Sequence, residues 1–323
     1  MRAVTYRRYG GPDRLMVSEI AKPVPKDDEV LVRVRACALN SWDWDQLVGN
    51  ALGRIGGLFR PRHTILGADI AGVVEAVGAS VTRFVPGDAV MGDLSETGWG
   101  GLAEYTCARE GFLTRKPEGL SFEAAAAIPQ AGSLALQGLW GKPEAGAGKR
   151  VLVVGAGGGM GSFAVQLAKL QGAEVTGVDS GGKAEFMLSL GADHVIDYRR
   201  EDFGRARARY DFILDAVAQR SIFAYARVLN PGGGFSMVGG TIPALLQGAF
   251  LGPIISRRSG KTLGILMWRP RAEDFAALAE MAARGEIAPA VEQVYALEET
   301  AEAFGHLGAG QAKGKLVIRI CAT

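Results

Sequence analysis

The chain has 323 residues, 48% hydrophobic and 22% charged, and 36 basic against 34 acidic side chains leave a net charge of +2. This is the composition of a soluble globular protein long enough for two domains. The near-neutral balance argues against nucleic acid or an anionic membrane as partner, and no run of about 18 uncharged apolar residues offers a membrane span. Cys37, Cys107 and Cys321 are odd in number and far apart, so a disulfide framework is not expected and a reducing, cytoplasmic compartment is. The opening MRAVTYRRYGG reads as a strand entering a turn, without the apolar core of a signal peptide.

The first 120 residues carry short β patterns broken by Gly, Pro and Asp: Val30–Ala38, Ile70–Val77, and Asp88–Met91 after Pro86-Gly87. They predict an irregular, mostly β domain. From Leu120 the run LSFEAAAAIPQAGSLALQGL is helical in composition, with Ser121 placed to cap and Glu123 in the first turn. Beyond Arg150, apolar runs at 151–155, 174–179, 194–198, 210–217 and 233–240 alternate with helical stretches, one of them Ser221–Leu229. Apolar strands joined by helices predict an α/β domain with a parallel sheet covered on both faces. TLGILM, Thr262–Met267, reads as an edge strand of that sheet. The tail carries a helix (EDFAALAEMAARGE) and a final strand, KLVIRI, expected to rejoin the first domain. The predicted division is 1–122 with 270–323, and 123–269.

VLVVGAGGGMGSFAVQLAK, residues 151–169, holds five glycines in the seven positions 155–161 between a strand and a helix. Read by spacing, Ala156-x-Gly158-x-x-Gly161 is a dinucleotide-binding fingerprint: Gly158 lets a pyrophosphate approach the backbone, and Gly161 lets the helix pack closely on the strand. Gly157, Gly159 and Met160 complete the turn, whose helix presents free N–H groups to phosphate. The second strand ends in GVDSGGK, which pulls two ways. Asp179 suits both ribose hydroxyls of NAD, whereas Ser180 and Lys183 suit the 2′-phosphate of NADP. Tyr198 ends the third strand and can flank the adenine. Ala216 and Val217, with Val238 and Gly239, end the later strands and complete the candidate cofactor set.

The glycine fingerprint and LSFEAAAAIPQAG (120–132), together with ILGADIAGVVEAVG (65–78), FVPGDAVMGD (84–93), WGGLAEY (99–105), LGADHVIDYRREDF (190–203), LNPGGGFSMVGG (229–240) and AKGKLVIRI (312–320), resemble the medium-chain dehydrogenase/reductase superfamily over essentially the whole length. The resemblance implies a GroES-like mostly-β domain and a Rossmann domain with the active site between them. The family's catalytic zinc is held by Cys, a His-Glu pair and a second Cys; those positions read Asn40, Ala68-Asp69 and Gln130 here. Zinc is therefore not expected, and His63, His194 and His306 are isolated. The pattern is similar to the zinc-independent quinone oxidoreductase branch, which implies NADPH (NADH remaining possible) and reduction of a quinone or an α,β-unsaturated carbonyl.

In such a site the substrate oxygen needs a donor, for which Asn40 is the candidate. Trp42 and Trp44, standing where that branch often has tyrosines, would wall a flat apolar substrate. Asp43 reads as a structural acceptor. The resemblance further implies a homodimer pairing the edge strands into a twelve-stranded sheet. Alternatives from the same residues are an NAD(P)-dependent alcohol or aldehyde oxidoreductase and a non-catalytic NADPH-binding protein.

Overall fold

A computed structural model describes residues 1–55 and 57–320; Cys321 lies outside them. The chain forms two compact units, Met1–Ser133 with Pro270–Thr323, and Leu134–Arg269. No helix among the described residues is long and apolar enough to cross a membrane.

The first unit is built on a seven-stranded sheet whose centre is the ten-residue strand Glu29–Ala38. Its valines and alanines are almost all buried, as β-branched residues favour a covered pleated surface. Asp69–Val77 pairs antiparallel along its length, with register shifts at Leu31/Val32 and Val34/Ala36 that bend the sheet. Tyr105–Arg109 pairs with its first half. Its last three residues, Ala36–Ala38, pair antiparallel with the tail strand Lys315–Arg319, which also pairs parallel with Val291–Ala296. The tail thus completes the sheet begun by the first hundred residues, around a core that includes Val32, Val34, Ile70, Val74, Leu316 and Ile318.

The helix Ser41–Val48 packs on Thr300–Gly308. A Cβ on Gly308 would overlap the Trp44 ring, so the glycine is what admits the tryptophan. The helical run predicted from Leu120 is two helices, Phe122–Ala126 and Pro129–Leu139. Ser121 Oγ accepts the Ala124 N–H at 3.1 Å and starts the first. Pro129 ends it, because proline has no N–H to continue a helix but suits the first turn of the next. The helix Phe122–Ala126 packs on Glu29–Ala38 and Asp69–Val77. Residues 123–133 accordingly belong with the first unit, although the composition changes at Leu120.

The second unit is a six-stranded parallel sheet in the order His194–Asp197, Glu174–Asp179, Arg150–Val154, Tyr210–Asp215, Leu229–Met237, Thr262–Ile265. Numbered along the chain this is 3-2-1-4-5-6, the doubly wound arrangement. The strand predicted from 233 begins at Leu229, directly after the helix Ile222–Val228, with its extra length absorbed by a register shift opposite Tyr210/Phe212. Thr262–Ile265 is the edge strand, paired on one side only. Chain order reverses between the first strand and the fourth, so the loops leaving Val154 and Asp215 diverge from adjacent carboxyl ends. That is where ligands bind in such sheets.

Candidate functional site

The strand Arg150–Val154 stops at Gly155, whose φ of +81° is left-handed and suits glycine. The chain then turns through Ala156 and Gly157 into Gly158, the N-cap of the helix Gly159–Leu170. A Cβ on Gly161 would run into the Gly155 carbonyl oxygen and lie 2.6 Å from Ala156 Cα, so this glycine is required for the helix to sit on the strand. Gly158 differs. Its Cβ would meet only the Gly155 oxygen, at 3.4 Å, an ordinary contact. The missing side chain there serves no packing within the chain and leaves a cradle open. The N–H groups of Gly159, Met160 and Gly161 begin the helix, where intrahelical acceptors are lacking and a partial positive charge gathers. The turn therefore fits a pyrophosphate.

The fourth strand supplies the other wall. A Cβ on Gly155 would lie 2.9 Å from Val217 Cγ2 and 3.2 Å from Ala216 Cβ, so these loops are in contact. Asp215 is fully buried and holds its loop by accepting the N–H groups of Val217 and Ala218, each at 2.7 Å, and the Tyr225 hydroxyl at 2.7 Å. Val238 N–H donates to the Asp215 carbonyl, and Gly239 lies beside Ala216, where a Cβ would come 3.0 Å from its carbonyl oxygen. Sequence reasoning named the loop residues and missed Asp215 and Tyr225. An aspartate closing an apolar strand was the available signal.

At the end of the second strand, Asp179 turns back onto the glycine turn. Its Oδ2 accepts the Gly157 N–H at 3.0 Å and its Oδ1 accepts the Ser180 N–H at 2.8 Å. Lys183 is 6% exposed, lays its stem over Gly157, and brings Nζ to 3.5 Å from Asp179 Oδ1. The aspartate and the lysine, which the sequence set in opposition, are thus partners. Tyr198 is half-exposed, and the Arg199 guanidinium stands 5.8 Å from its ring centre. Arg199 is a cation at this end that sequence reasoning passed over.

In the first unit Asn40 and Gln130 both reach Asp69, the second residue of the Ala68-Asp69 pair that stands where the resemblance puts the His-Glu pair, and all three are buried. Asn40 Nδ2 donates to Asp69 Oδ2 at 3.0 Å, and the Gln130 N–H donates to Asp69 Oδ1 at 3.1 Å. Gln130 Nε2 reaches Asp93 Oδ2 at 3.5 Å. Lys315, 1% exposed, donates from Nζ to Asn40 Oδ1 and lies 3.5 Å from Asp69 Oδ2. This lysine went unremarked in the sequence, although a charge opening the apolar strand KLVIRI was its signal.

Burial raises the carboxyl of Asp69 against the pull of Lys315, and burial raises Asp93 as well. Burial pushes Asp69 up to about 8, yet of Asp43, Asp69 and Asp93 it alone has an ammonium within ion-pair distance together with two N–H donors, contacts that favour its charged form. Asp43 accepts the Asn40 and Gly67 N–H groups, both at 2.8 Å, as a structural acceptor, and burial pushes it up to about 7.

The two tryptophans do not share a face. Residues two apart on a helix point in different directions: Trp42 is 47% exposed, while Trp44 packs against the core and Gly308. Trp44, half-buried, packs its ring on Gly308 and the core, whereas Trp42 stands free of that contact. The three histidines lie apart with separate partners: His63 by Trp99, His194 by Glu174, and His306 by Tyr295.

Comparison with known proteins agrees with this architecture. The alcohol dehydrogenase GroES-like domain model matches residues 26–118, and a zinc-binding dehydrogenase model matches residues 190–318. The chain is 35% identical to the 2-methylene-furan-3-one reductase of Solanum lycopersicum over 98% of its own length and 79% of that protein. It is 34% identical, over the same shares, to the chloroplastic NADPH-dependent alkenal/one oxidoreductase of Arabidopsis thaliana. A solved quinone oxidoreductase from Coxiella burnetii superposes with a TM-score of 0.88 at 28% identity, over 99% of both chains.

The glycine geometry predicts opposite outcomes for two neighbouring substitutions. Gly161→Ala should destabilise the chain by about 1–3 kcal/mol through overpacking. Gly158→Ala should leave the melting temperature nearly unchanged and weaken dinucleotide binding. Equal melting losses in the two variants would show that Gly158 is also a packing residue.

Asp43 carries a pH prediction. The folded chain keeps this proton up to about pH 7, whereas an ordinary aspartate releases it near 3.8. Between those values the folded state binds more protons, so this group's contribution to stability falls as pH rises. The melting-temperature gap between wild type and Asp43→Ala should be widest at pH 5 and narrow by pH 8. A constant gap across that range would contradict it.

Proposed function

The chain belongs to the medium-chain dehydrogenase/reductase superfamily, in its quinone oxidoreductase-like branch, and on that premise we propose that it is an NADPH-dependent reductase of a quinone or an α,β-unsaturated carbonyl. The observation that carries this reading is the Gly158 cradle at the head of Gly159–Leu170, open where the chain itself has no use for the space. Gly158 to Gly161 would hold the pyrophosphate, and the Ala216–Val217 and Val238–Gly239 loops would flank the bound dinucleotide. When bound, the reduced nicotinamide supplies the hydride. The chain's own residues bind, orient and stabilise charge. An amide carries two N–H hydrogens, and Asn40 Nδ2 gives one to Asp69. The other is the donor for a carbonyl oxygen on which negative charge builds. Trp42 offers an exposed aromatic face to a flat substrate.

The preference for NADPH is supported by the NADPH-dependent relative and by the charge balance at the second strand. A lone carboxylate about 5 Å from a 2′-phosphate would cost roughly 1–3 kcal/mol per phosphate charge. Lys183 offsets Asp179 at 3.5 Å, and Arg199 adds a further cation.

Zinc does not fit the first unit's donors. Zinc sites of dehydrogenases use thiolate and imidazole, whereas Asn40, Asp69 and Gln130 offer amides and one carboxylate with the Lys315 ammonium already beside it. We place the protein in a reducing, cytoplasmic compartment on the strength of its free Cys37 and Cys107. We also propose a homodimer through Thr262–Ile265, because an uncovered edge beside the exposed Phe250 and Met267 calls for a partner.

Turnover of 1,2-naphthoquinone and of 2-alkenals, each with NADPH and with NADH, tests the reading. NADPH should support the higher kcat/KM, in protein containing far less than one zinc per chain. Activity with NADH on alcohols or aldehydes alone would favour the alcohol dehydrogenase class, and no turnover a non-catalytic role. Light scattering at micromolar concentration should give the mass of two chains; a monomer would overturn the dimer.

A further inference from the structure

We propose that Lys315 is a positioning residue that locks the orientation of the Asn40 amide and strengthens it as a hydrogen-bond donor, an inference that rests on the reading of Asn40 as the substrate's donor. Lys315, Asn40 and Asp69 form a closed ring. The ammonium donates to the amide oxygen, the amide nitrogen donates to Asp69 Oδ2 at 3.0 Å, and Asp69 Oδ2 lies 3.5 Å from the ammonium. All three side chains are buried, Lys315 at 1%, Asp69 at 0% and Asn40 at 9% exposed, so water screens none of these contacts.

Two consequences follow from the signs of the charges. A cation at the amide oxygen and an anion at the amide nitrogen forbid the flipped amide, which would set N–H groups against the ammonium and the carbonyl against the carboxylate. An isolated buried asparagine has no such discrimination. The same two charges also favour the polarised form of the amide, with negative oxygen and partly positive nitrogen. Hydrogen bonds coupled in this way strengthen one another in a low dielectric, so the second amide hydrogen becomes a better donor to a developing oxyanion.

The backbone fixes each member of the ring. Gly314, with φ +78°, stands immediately before Lys315 and lies where a Cβ would collide with the Ala290 carbonyl oxygen, so the turn that launches the last strand depends on it. Asn40 is anchored through its own N–H to Asp43, and Asp69 through the Gln130 N–H. Asp43, Asp93 and the buried Cys37 thiol are the other ionisable groups that feel the cluster, and neither aspartate is within ion-pair distance of Lys315.

The test is a double-mutant cycle in the full chain, with NADPH saturating and an alkenal or quinone varied. Removal of one oxyanion donor lowers kcat by about 10²–10³. Asn40→Ala should approach that loss, and Lys315→Met should lower kcat by roughly tenfold to a hundredfold with KM changed little. In the Asn40→Ala background, Lys315→Met should add almost nothing, because its target is gone. Lys315→Arg should recover most of the rate. Losses that add in full, or a Lys315→Met chain with wild-type kcat, would reduce Lys315 to a structural counter-charge and overturn the inference alone. Wild-type rates from Asn40→Ala would remove the donor reading and this inference with it, as would a wild-type chain inert on every substrate. Should Lys315→Met fail to fold with Asp69 left unpaired, Lys315→Met/Asp69→Asn removes both charges and carries the same comparison.

Discussion

A lysine held out of water among aspartates is the constraint around which the first unit is organised. Taking an ammonium out of water costs several kcal/mol unless partners replace its hydration, and Lys315 finds them in Asn40 and Asp69. Those partners come from the N-cap of Ser41–Val48 and the first residue of Asp69–Val77, hundreds of positions away along the chain. The tail strand can satisfy its charge only when paired beside Glu29–Ala38, which brings these three segments to one point. The polar cluster and the register of the sheet are thus one requirement. A one-residue slip of Lys315–Arg319 would turn the ammonium to the other face.

The second unit solves a comparable problem in the opposite way. Its turn at Gly155 to Gly161 carries no side chain larger than alanine before Met160, and the adjoining carboxylate is used to hold that turn. Asp179 accepts Gly157 N–H on one oxygen and stands against buried Lys183 on the other, so the loop is kept in shape with its charge neutralised locally. Asp215 does the same for the facing loop through Val217 and Ala218. Both carboxylates close the carboxyl ends of central strands, and their fixed loops leave the cradle between them open.

The two units accordingly contribute different chemistry. One presents backbone N–H groups and absent side chains, suited to a large anionic dinucleotide whose reactive ring brings its own electrons. The other presents a buried amide held between the Lys315 ammonium and the Asp69 carboxyl group.

What could be read from the sequence was whatever depends on neighbours in the chain. Period-two apolar runs marked the strands, the alternation with helices marked a parallel sheet, and the glycine spacing marked the dinucleotide turn, because each is a local demand of backbone geometry. Gly161 is legible for that reason: its Cβ would strike residues five and six positions before it. Asn40, Asp69 and Gln130 were legible only as departures from a familiar ligand set. The tertiary structure alone decided that Asn40 and Gln130 both reach Asp69, that Lys315 joins them from 275 residues beyond Asn40, that Asp179 pairs with Lys183, and that Trp44 packs on Gly308 while Trp42 stays exposed. Each of these rests on burial and on contact between distant segments, which set the energy of a charge or a ring and which no local pattern of residues encodes.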